Sequence, residues 1–211
     1  MRGRFIAFEG GEGAGKSTHA RLLADHLRGQ GLDVVLTREP GGTPGAESIR
    51  GLLLSTEGEG WAPRAEALLF AAARADHVAR LIEPALAAGK WVICDRFLDS
   101  SRAYQGGGGG LDDADLLDLH RIGSGGILPD ATVLIEAPAE AVAERLARRD
   151  GDVADRIGGR SAAYHAKVAD AFARFAEAEP GRFCRIDGAG SVADVHDRVV
   201  AALRPLLDAT R

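Results

Sequence analysis

The chain has 211 residues, 45% of them hydrophobic and 27% charged, which suits one α/β domain with a small mobile appendage over residues 1–211. Its formal net charge of −5 disfavours a general nucleic-acid-binding role, and its apolar runs are too short to span a bilayer. Two cysteines, Cys94 and Cys184, make neither a disulfide framework nor a metal-type spacing, so a reducing cytoplasm is the simplest compartment.

Apolar periodicity predicts strands and helices that alternate along the whole chain. The predicted elements, in chain order, are strand 4–9, helix 16–28, strand 33–39, helix 44–54, helix 63–88 with a break near 74–76, strand 90–95, helix 112–122, strand 131–137, helix 138–149, helix 160–178, strand 182–187 and helix 191–207. This alternation predicts a five-stranded parallel sheet with helices on both faces.

Two stretches interrupt that rhythm. One is the glycine-rich "YQGGGGGLDD" near 104–113, and the other is the arginine-rich "RRDGDVADRIGGR" at 148–160. Glycine runs are usually flexible connectors, and arginine-rich loops are usually solvated surface. A connector would split the fold between the third strand and its return helix, which disfavours that interpretation.

The stretch "GGEGAGKST" fits the phosphate-binding pattern G-x-x-x-x-G-K-[ST], and it lies between a predicted strand and a predicted helix. Glycines let backbone N–H groups converge on phosphates, Lys16 should reach the β- and γ-phosphates, and Ser17 should ligate Mg²⁺. The residues expected to contact ATP here are Gly10, Gly11, Glu12, Gly13, Ala14, Gly15, Lys16, Ser17 and Thr18.

The absence of asparagine from the chain excludes several classes of phosphate-loop and kinase proteins. A GTPase of the usual kind reads guanine with N-K-x-D, and a protein kinase needs a catalytic-loop asparagine. A motor would normally end a strand with an acidic pair, whereas the third predicted strand here ends "ICDR". A small-molecule kinase is favoured.

The "CDRF" segment places Asp95 and Arg96 at the carboxyl end of a predicted central strand, where ligands of such sheets bind. Asp95 could hold Mg²⁺-bound water or an arginine, and Arg96 could clamp a phosphate with two N–H groups. An ordinary surface ion pair would explain these two residues equally well on their own. In "FAAARADH", Phe70 and Arg74 share one helical face, which suits stacking on a ring and bonding its edge.

Together, "FEGGEGAGKST", "TREPGGT", "FAAARADH", "DRFLDSSRAYQGGG" and "ADRI" resemble the thymidylate kinases, nucleoside-monophosphate kinases that phosphorylate dTMP with ATP and Mg²⁺ for dTTP synthesis. The matching segments lie in order over residues 5–157. The resemblance implies the P-loop kinase fold, a homodimer, and Ser17 and Asp95 at the metal. The implied dTMP-binding residues are Arg38, Glu39, Phe70, Arg74, Arg96, Ser100, Tyr104 and Gln105.

The resemblance also gives these residues roles. Arg38 and Arg96 bind the acceptor phosphate, Phe70 stacks on thymine, and Arg74 donates to a thymine carbonyl. Tyr104 blocks a ribose 2′-hydroxyl, and a bulky ring against C2′ is a physically plausible way to prefer a deoxy sugar.

A lid over about 148–160 is implied to close on the donor phosphates, which excludes water from the transfer. The phosphate loop has no basic residue before Lys16, so a lid arginine should stabilise the transition state. Arg149, as a catalytic residue, and Arg156, as an ATP contact, are the favoured candidates. The residues Gly106–Gly110 are expected to form a mobile substrate-side loop.

Glu12 places a carboxylate inside a loop for anions. The resemblance assigns it to the acceptor's 3′-hydroxyl and to the support of an acceptor-side arginine, and it counts Lys16, Arg96, Asp95, Glu12 and Arg149 as catalytic. Two rivals remain open: a kinase for an uncharged deoxynucleoside, and a nucleotide-binding regulatory protein with a decayed site.

Overall fold

The computed structural model describes residues 2–138, 142 and 156–208. In these ranges five strands form one parallel sheet with the order β2-β3-β1-β4-β5. The strands are β1 (Phe5–Glu9), β2 (Val34–Arg38), β3 (Trp91–Asp95), β4 (Ala131–Glu136) and β5 (Phe183–Asp187). The predicted sheet is therefore confirmed, and β3 and β1 are central strands with carboxyl ends side by side.

The helices follow the predicted alternation closely. They are α1 (Lys16–Gly29), α2 (Pro44–Leu54), α3 (Pro63–His77), α4 (Glu83–Ala87), α5 (Leu98–Ser101), α6 (Asp113–Ser124), α7 (Ala162–Ala178) and α8 (Val192–Asp208), with π-helical segments at Val78–Ile82 and Arg102–Gly108. The predicted helix over 138–149 lies outside the described residues apart from positions 138 and 142. No helix in the described ranges is both long and apolar enough to cross a bilayer.

Alternating side chains of the fully buried strand β1 explain why helices cover both faces of the sheet. Ile6 and Phe8 pack with residues of α1 and α8, such as Leu23 and Val199, in one core cluster. Phe5 and its neighbours on the opposite face pack with the residues before and after β3. Cys94 is buried in this second cluster and Cys184 is half-buried, and neither is in a disulfide.

The predicted break near 74–76 is wrong, because α3 continues to His77. Two polar side chains of this stretch have tertiary partners: Arg74 bonds Glu39, and Asp76 accepts from the Thr43 hydroxyl. The irregularity lies further on, in the π-helical segment that precedes Pro84, a residue with no N–H to donate.

The loop expected at Gly106–Gly110 is also wrong for Gly106–Gly108, which complete the second π-helical segment. A Cβ built on Gly107 would lie 2.5 Å from the Ala171 Cβ, and one on Gly108 would lie 2.5 Å from the Tyr164 ring. These glycines therefore let the segment pack directly on α7, and the run contributes to close packing there.

Candidate functional site

The phosphate loop joins β1 to α1 and has the backbone that its glycines allow. Gly10, Gly13 and Gly15 have φ values of 138°, 68° and 99°, a region that favours glycine. The Lys16 ammonium is buried, and its Nζ donates to the Gly11 carbonyl at 2.6 Å. Burial, and secondarily Arg96, lowers the pKa of Lys16 to about 8. Lys16 thus lies over the loop at the amino end of α1, as the motif predicts.

Ser17 and Asp95 meet at the amino end of α1, where the Ser17 hydroxyl donates to Asp95 Oδ2. The other carboxylate oxygen, Asp95 Oδ1, is buried and has no hydrogen-bond partner within the described residues. Hard cations such as Mg²⁺ take oxygen ligands and usually keep several waters and substrate phosphates. A hydroxyl and a carboxylate beside a phosphate loop fit such an ion.

Arg96 follows β3 and connects the phosphate loop with the acceptor-side helix. Its φ of 69° is rare for a residue with a side chain. Nη2 donates to Glu12 Oε1 at 2.5 Å and to the Tyr104 hydroxyl at 3.2 Å. Nη1 donates to the Gly10 carbonyl and to the Ser100 hydroxyl. Burial raises the pKa of Glu12, but the charges of Arg96 and Lys16 outweigh it and hold that pKa below its usual value.

Glu9, the last residue of β1, is a buried carboxylate that sequence analysis did not single out. Its Oε1 accepts from the N–H groups of Phe97 and Ser100, and its Oε2 accepts from the Ser100 hydroxyl at 2.6 Å. It therefore caps the amino end of α5 from a neighbouring strand. Burial and the charge of Asp99 raise the pKa of Glu9 to about 7.

Arg38 lies at the rim of the site, where its side chain is 55% exposed. Its Nη2 donates to both oxygens of Glu47, and Glu47 also accepts from the Gly42 N–H. The acid on α2 holds this arginine at the carboxyl end of β2. Arg38 is thus partnered, yet its exposure leaves it accessible to an anionic ligand.

The Arg74 side chain is buried and makes three hydrogen bonds within the described residues. Nε donates to Glu39 Oε2 at 2.7 Å, and Nη2 donates to the Ser101 hydroxyl at 2.7 Å and to the Phe97 carbonyl at 3.3 Å. Phe70, one turn earlier on α3, is partly buried and packs against the core cluster that includes Tyr104. The two residues share one cavity, as their spacing predicts.

These groups surround one cavity of about 620 Å³. The predicted site residues that line it are Glu12, Gly13, Gly15, Lys16, Ser17, Thr18, Arg38, Glu39, Phe70, Arg74, Asp95, Arg96, Ser100, Tyr104 and Gln105. Phosphate-loop residues and acceptor-side residues thus share a single continuous space.

Other predicted residues lie elsewhere. Gly10, Gly11 and Ala14 belong to the phosphate loop without lining the cavity. The Arg156 guanidinium donates to the backbone carbonyls of Ser55, Glu57 and Gly58. Arg149 lies outside the described residues.

Sequence reasoning missed several cavity residues, including Ser101, Arg50 and Ile157. Ser101 follows the predicted Ser100 directly, and both belong to α5. The helix turns the Ser101 hydroxyl towards Arg74, whereas the Ser100 hydroxyl bonds Glu9. The two serines of "SSR" could have indicated a second hydroxyl at the site, but only the orientation of α5 shows which hydroxyl meets which partner. Arg50 donates to the Pro40 carbonyl, and nothing in its own neighbourhood of sequence marked it.

The fold and the site together define a class. A parallel sheet with a glycine-rich loop, a loop lysine and a Ser–Asp pair at its carboxyl edge is the arrangement of a P-loop kinase. The cavity continues past the loop to arginines and aromatic residues, which suit a nucleotide acceptor.

Comparison with known proteins supports the assignment to the P-loop kinases and narrows it to one family. A family model described as thymidylate kinase matches residues 8–199. The thymidylate kinase of Rhizorhabdus wittichii is 56% identical over 207 residues, covering 98% of this chain and 100% of that protein. That of Afipia carboxidovorans is 48% identical over 199 residues, covering 94% of this chain and 87% of that protein.

A solved structure extends the likeness to three dimensions. The crystal structure of thymidylate kinase from Ehrlichia chaffeensis matches with a TM-score of 0.78 at 34% identity, over 97% of this chain and 99% of that one. The chain belongs to the thymidylate kinase family.

Proposed function

We propose that the protein transfers the γ-phosphoryl group of ATP to the phosphate of dTMP, giving dTDP. The observation that carries this function is the continuous cavity in which the phosphate loop, Arg96 and the Phe70–Arg74 face all take part. A donor site and an acceptor site in one space allow direct transfer between two bound nucleotides. Membership of the thymidylate kinase family supports the same reaction.

On the donor side, the loop N–H groups and Lys16 would hold the β- and γ-phosphates. Ser17 and Asp95 would hold Mg²⁺, directly or through water, and the orphaned Asp95 Oδ1 supports that assignment. When bound, the ion supplies charge neutralisation at the phosphate oxygens. Arg149 and Arg156 remain predictions as catalytic and ATP-binding residues, and so does the lid at 148–160 of a single domain.

On the acceptor side, Arg96 and Arg38 would bind the dTMP phosphate, and Phe70 would stack on the base. Tyr104 is held against Arg96, whose guanidinium lies 4.9 Å from the ring centroid. A ring fixed in this way would leave little room beside C2′ of the sugar. Ser100 bonds Glu9 and Arg96, so it would serve the acceptor by positioning Arg96.

The chemistry needs no strong general base, because the attacking phosphate oxygen of dTMP is already anionic. The chain's part is to align the two nucleotides and to neutralise the charge that develops during transfer. Lys16 acts at the donor phosphates, and Arg96 acts at the acceptor phosphate. Glu12 keeps Arg96 in place and is also free to accept from the sugar 3′-hydroxyl.

A substrate panel tests the function. ATP with Mg²⁺ would be offered dTMP, dUMP, UMP, GMP and AMP in turn, and diphosphate formation would be measured. We expect dTMP to give the highest kcat/KM. Comparable turnover of UMP or AMP with none of dTMP would overturn the proposal, and turnover of free thymidine would favour the deoxynucleoside kinase instead.

Lys16→Ala separates an enzyme from a decayed nucleotide-binding protein. We expect turnover to fall by about a hundredfold or more, because a preorganised charge on the transferring phosphoryl group is lost. Unchanged turnover of this variant would favour the regulatory alternative.

A homodimer is part of the proposal. Exposed apolar side chains lie on α2, α3 and α6, which pack side by side: Leu52, Leu68, Leu117 and Ile122. Such a surface suits burial against a second copy of the chain. Leu68→Glu should shift the mass in light scattering from dimer to monomer, whereas Val192→Glu, at an exposed residue of α8, should leave it unchanged. A monomeric unaltered protein would contradict the dimer.

A further inference from the structure

Residues from two separate sequence motifs form one chain of hydrogen bonds beside the part of the cavity that is proposed to hold the nucleotide base. The motif "TREPGGT" supplies Thr37 and Glu39, and "FAAARADH" supplies Arg74 and His77. Thr37 Oγ1 lies 2.8 Å from His77 Nε2, and His77 Nδ1 lies 3.1 Å from Glu39 Oε1. Glu39 Oε2 accepts from Arg74 Nε at 2.7 Å, and Arg74 Nη2 donates to Ser101 Oγ at 2.7 Å.

The charge of Glu39 sets the direction of the two hydrogen bonds that this residue makes. Burial alone would raise the Glu39 pKa, but Arg74 and the hydrogen bond from His77 outweigh it and hold the pKa below its usual value. An ionised carboxylate only accepts hydrogen bonds, so His77 Nδ1 carries a proton and donates it. The contact between Nε2 and the Thr37 hydroxyl holds the other side of the ring. Each Glu39 oxygen therefore accepts one hydrogen bond, Oε1 from His77 and Oε2 from Arg74.

The chain of bonds is enclosed. The His77 side chain is fully buried, and those of Glu39 and Arg74 are 5% and 4% exposed. A Cβ built on Gly42 would lie 2.5 Å from Thr37 Oγ1 and 2.6 Å from His77 Nε2. The second glycine of the Pro-Gly-Gly turn thus lets the backbone close over this pair. The relay is defined as Thr37, His77, Glu39 and Arg74.

The relay determines what the cavity offers to a base. Arg74, Ser101 and Glu39 all line the cavity. Arg74 has only N–H donors, and the Ser101 oxygen already accepts from Arg74, which leaves the Ser101 hydroxyl hydrogen to donate. His77 and Arg74 hold the two Glu39 oxygens against the protein, and only 5% of the Glu39 side chain is exposed. This edge of the cavity therefore presents mainly donors, and the Glu39 acceptors are turned away from it.

Pyrimidine bases differ at this edge. Thymine and uracil carry a carbonyl at position 4, which accepts, whereas cytosine carries an amino group there, which donates. An amino group facing Arg74 would leave donors unpaired on both sides, and unpaired buried donors cost binding energy.

We propose that His77 is a positioning residue that makes the site specific for pyrimidines with a carbonyl at position 4, by keeping Glu39 engaged and Arg74 fixed. The inference rests on the proposed dTMP kinase function. Without the His77 donor, Glu39 Oε1 becomes free to turn towards an amino group, and Arg74 loses its fixed orientation.

Two substitutions at position 77 separate positioning from bulk. The amide nitrogen of asparagine can take the place of Nδ1, so His77→Asn keeps a donor for Glu39. The longer glutamine places its amide near Nε2, so His77→Gln keeps a contact for Thr37 and loses the donor to Glu39. The kcat/KM values for dTMP and dCMP would be measured for both variants, together with the KM for ATP.

We expect His77→Gln to lower the dTMP to dCMP ratio of kcat/KM by about tenfold, through a higher KM for dTMP and with the KM for ATP unchanged. His77→Asn should stay within about threefold of the unaltered ratio. His196→Gln is the control, since His196 lies on α8, which packs with Ile6 and Phe8 on the face of the sheet opposite to Phe5 and the segment after His77. Its ratio should not change.

Equal ratios for His77→Gln and the unaltered protein would overturn the proposal, and so would an equal fall in both position-77 variants or a parallel rise in the KM for ATP. Should His77→Gln fail to fold by circular dichroism, Glu39→Gln replaces it and must lower the same ratio. Turnover of dTMP by the unaltered protein separates the two claims, because its absence would refute the function itself, whereas the ratios test His77.

Discussion

The Arg96 guanidinium and the Glu12 carboxylate form a 2.5 Å ion pair that joins the end of β3 to the phosphate loop. The pair explains why a loop for anions carries a negative charge. The contact turns Glu12 towards Arg96, the arginine that is proposed to bind the acceptor phosphate, and not towards the donor phosphates.

Removal of that carboxylate should affect one substrate more than the other. We expect Glu12→Ala to lower kcat/KM for dTMP by about thirtyfold, since loss of one member of a partly buried charge pair costs about 2 kcal/mol or more. The KM for ATP should change little. Asp25→Asn, which alters an exposed ion pair on α1, is the control. An equal loss for both nucleotides would mean that Glu12 only supports the loop.

The Ser17–Asp95 pair should set the requirement for Mg²⁺. Chelation by EDTA should abolish turnover, and Ser17→Ala should raise the Mg²⁺ concentration for half-maximal activity by roughly tenfold or more. Ser48→Ala removes another exposed serine, whose hydroxyl bonds only the Pro44 carbonyl within the described part of the chain, and should leave the titration unchanged. A Mg²⁺ titration unaltered by Ser17→Ala would contradict the assignment.

Glu9 should make stability depend on pH. Its folded pKa of about 7 lies above the ordinary value of 4.5, so the folded state binds more protons between these pH values. Its contribution is therefore present below about pH 4.5 and is lost as the pH rises through 7, by up to about 3 kcal/mol. Urea unfolding at intervals from pH 5 to 8 should show this loss in the unaltered protein and a weaker one in Glu9→Gln. Identical slopes in the two proteins would refute it.

Replacing glycine by alanine should have opposite effects at two helical positions, one packed against α7 and one in open space. Gly108→Ala should destabilise the fold by about 1–3 kcal/mol, because its Cβ would meet the Tyr164 ring at 2.5 Å. Gly51→Ala on α2 has open space and should stabilise the protein by up to about 1 kcal/mol. Thermal unfolding measures both, and a stabilising Gly108→Ala would show that the packing is loose.

The sequence by itself determined the parallel sheet, the phosphate loop and the family, because these depend on local patterns. The period of apolar residues, the spacing of Gly10, Gly15 and Lys16, and the string "TREPGGT" are all readable without knowing which segments meet. The same patterns identified Arg74 and Phe70 as one helical face.

Only the tertiary structure decided how those side chains are partnered. Glu9, His77 and Ser101 act through residues 27 to 91 positions away, and no local pattern reports such contacts. The same reason explains the two errors. Arg74 and Asp76 bond distant groups from within a helix that continues to His77, and Gly106–Gly108 are helical where the segment packs directly on α7.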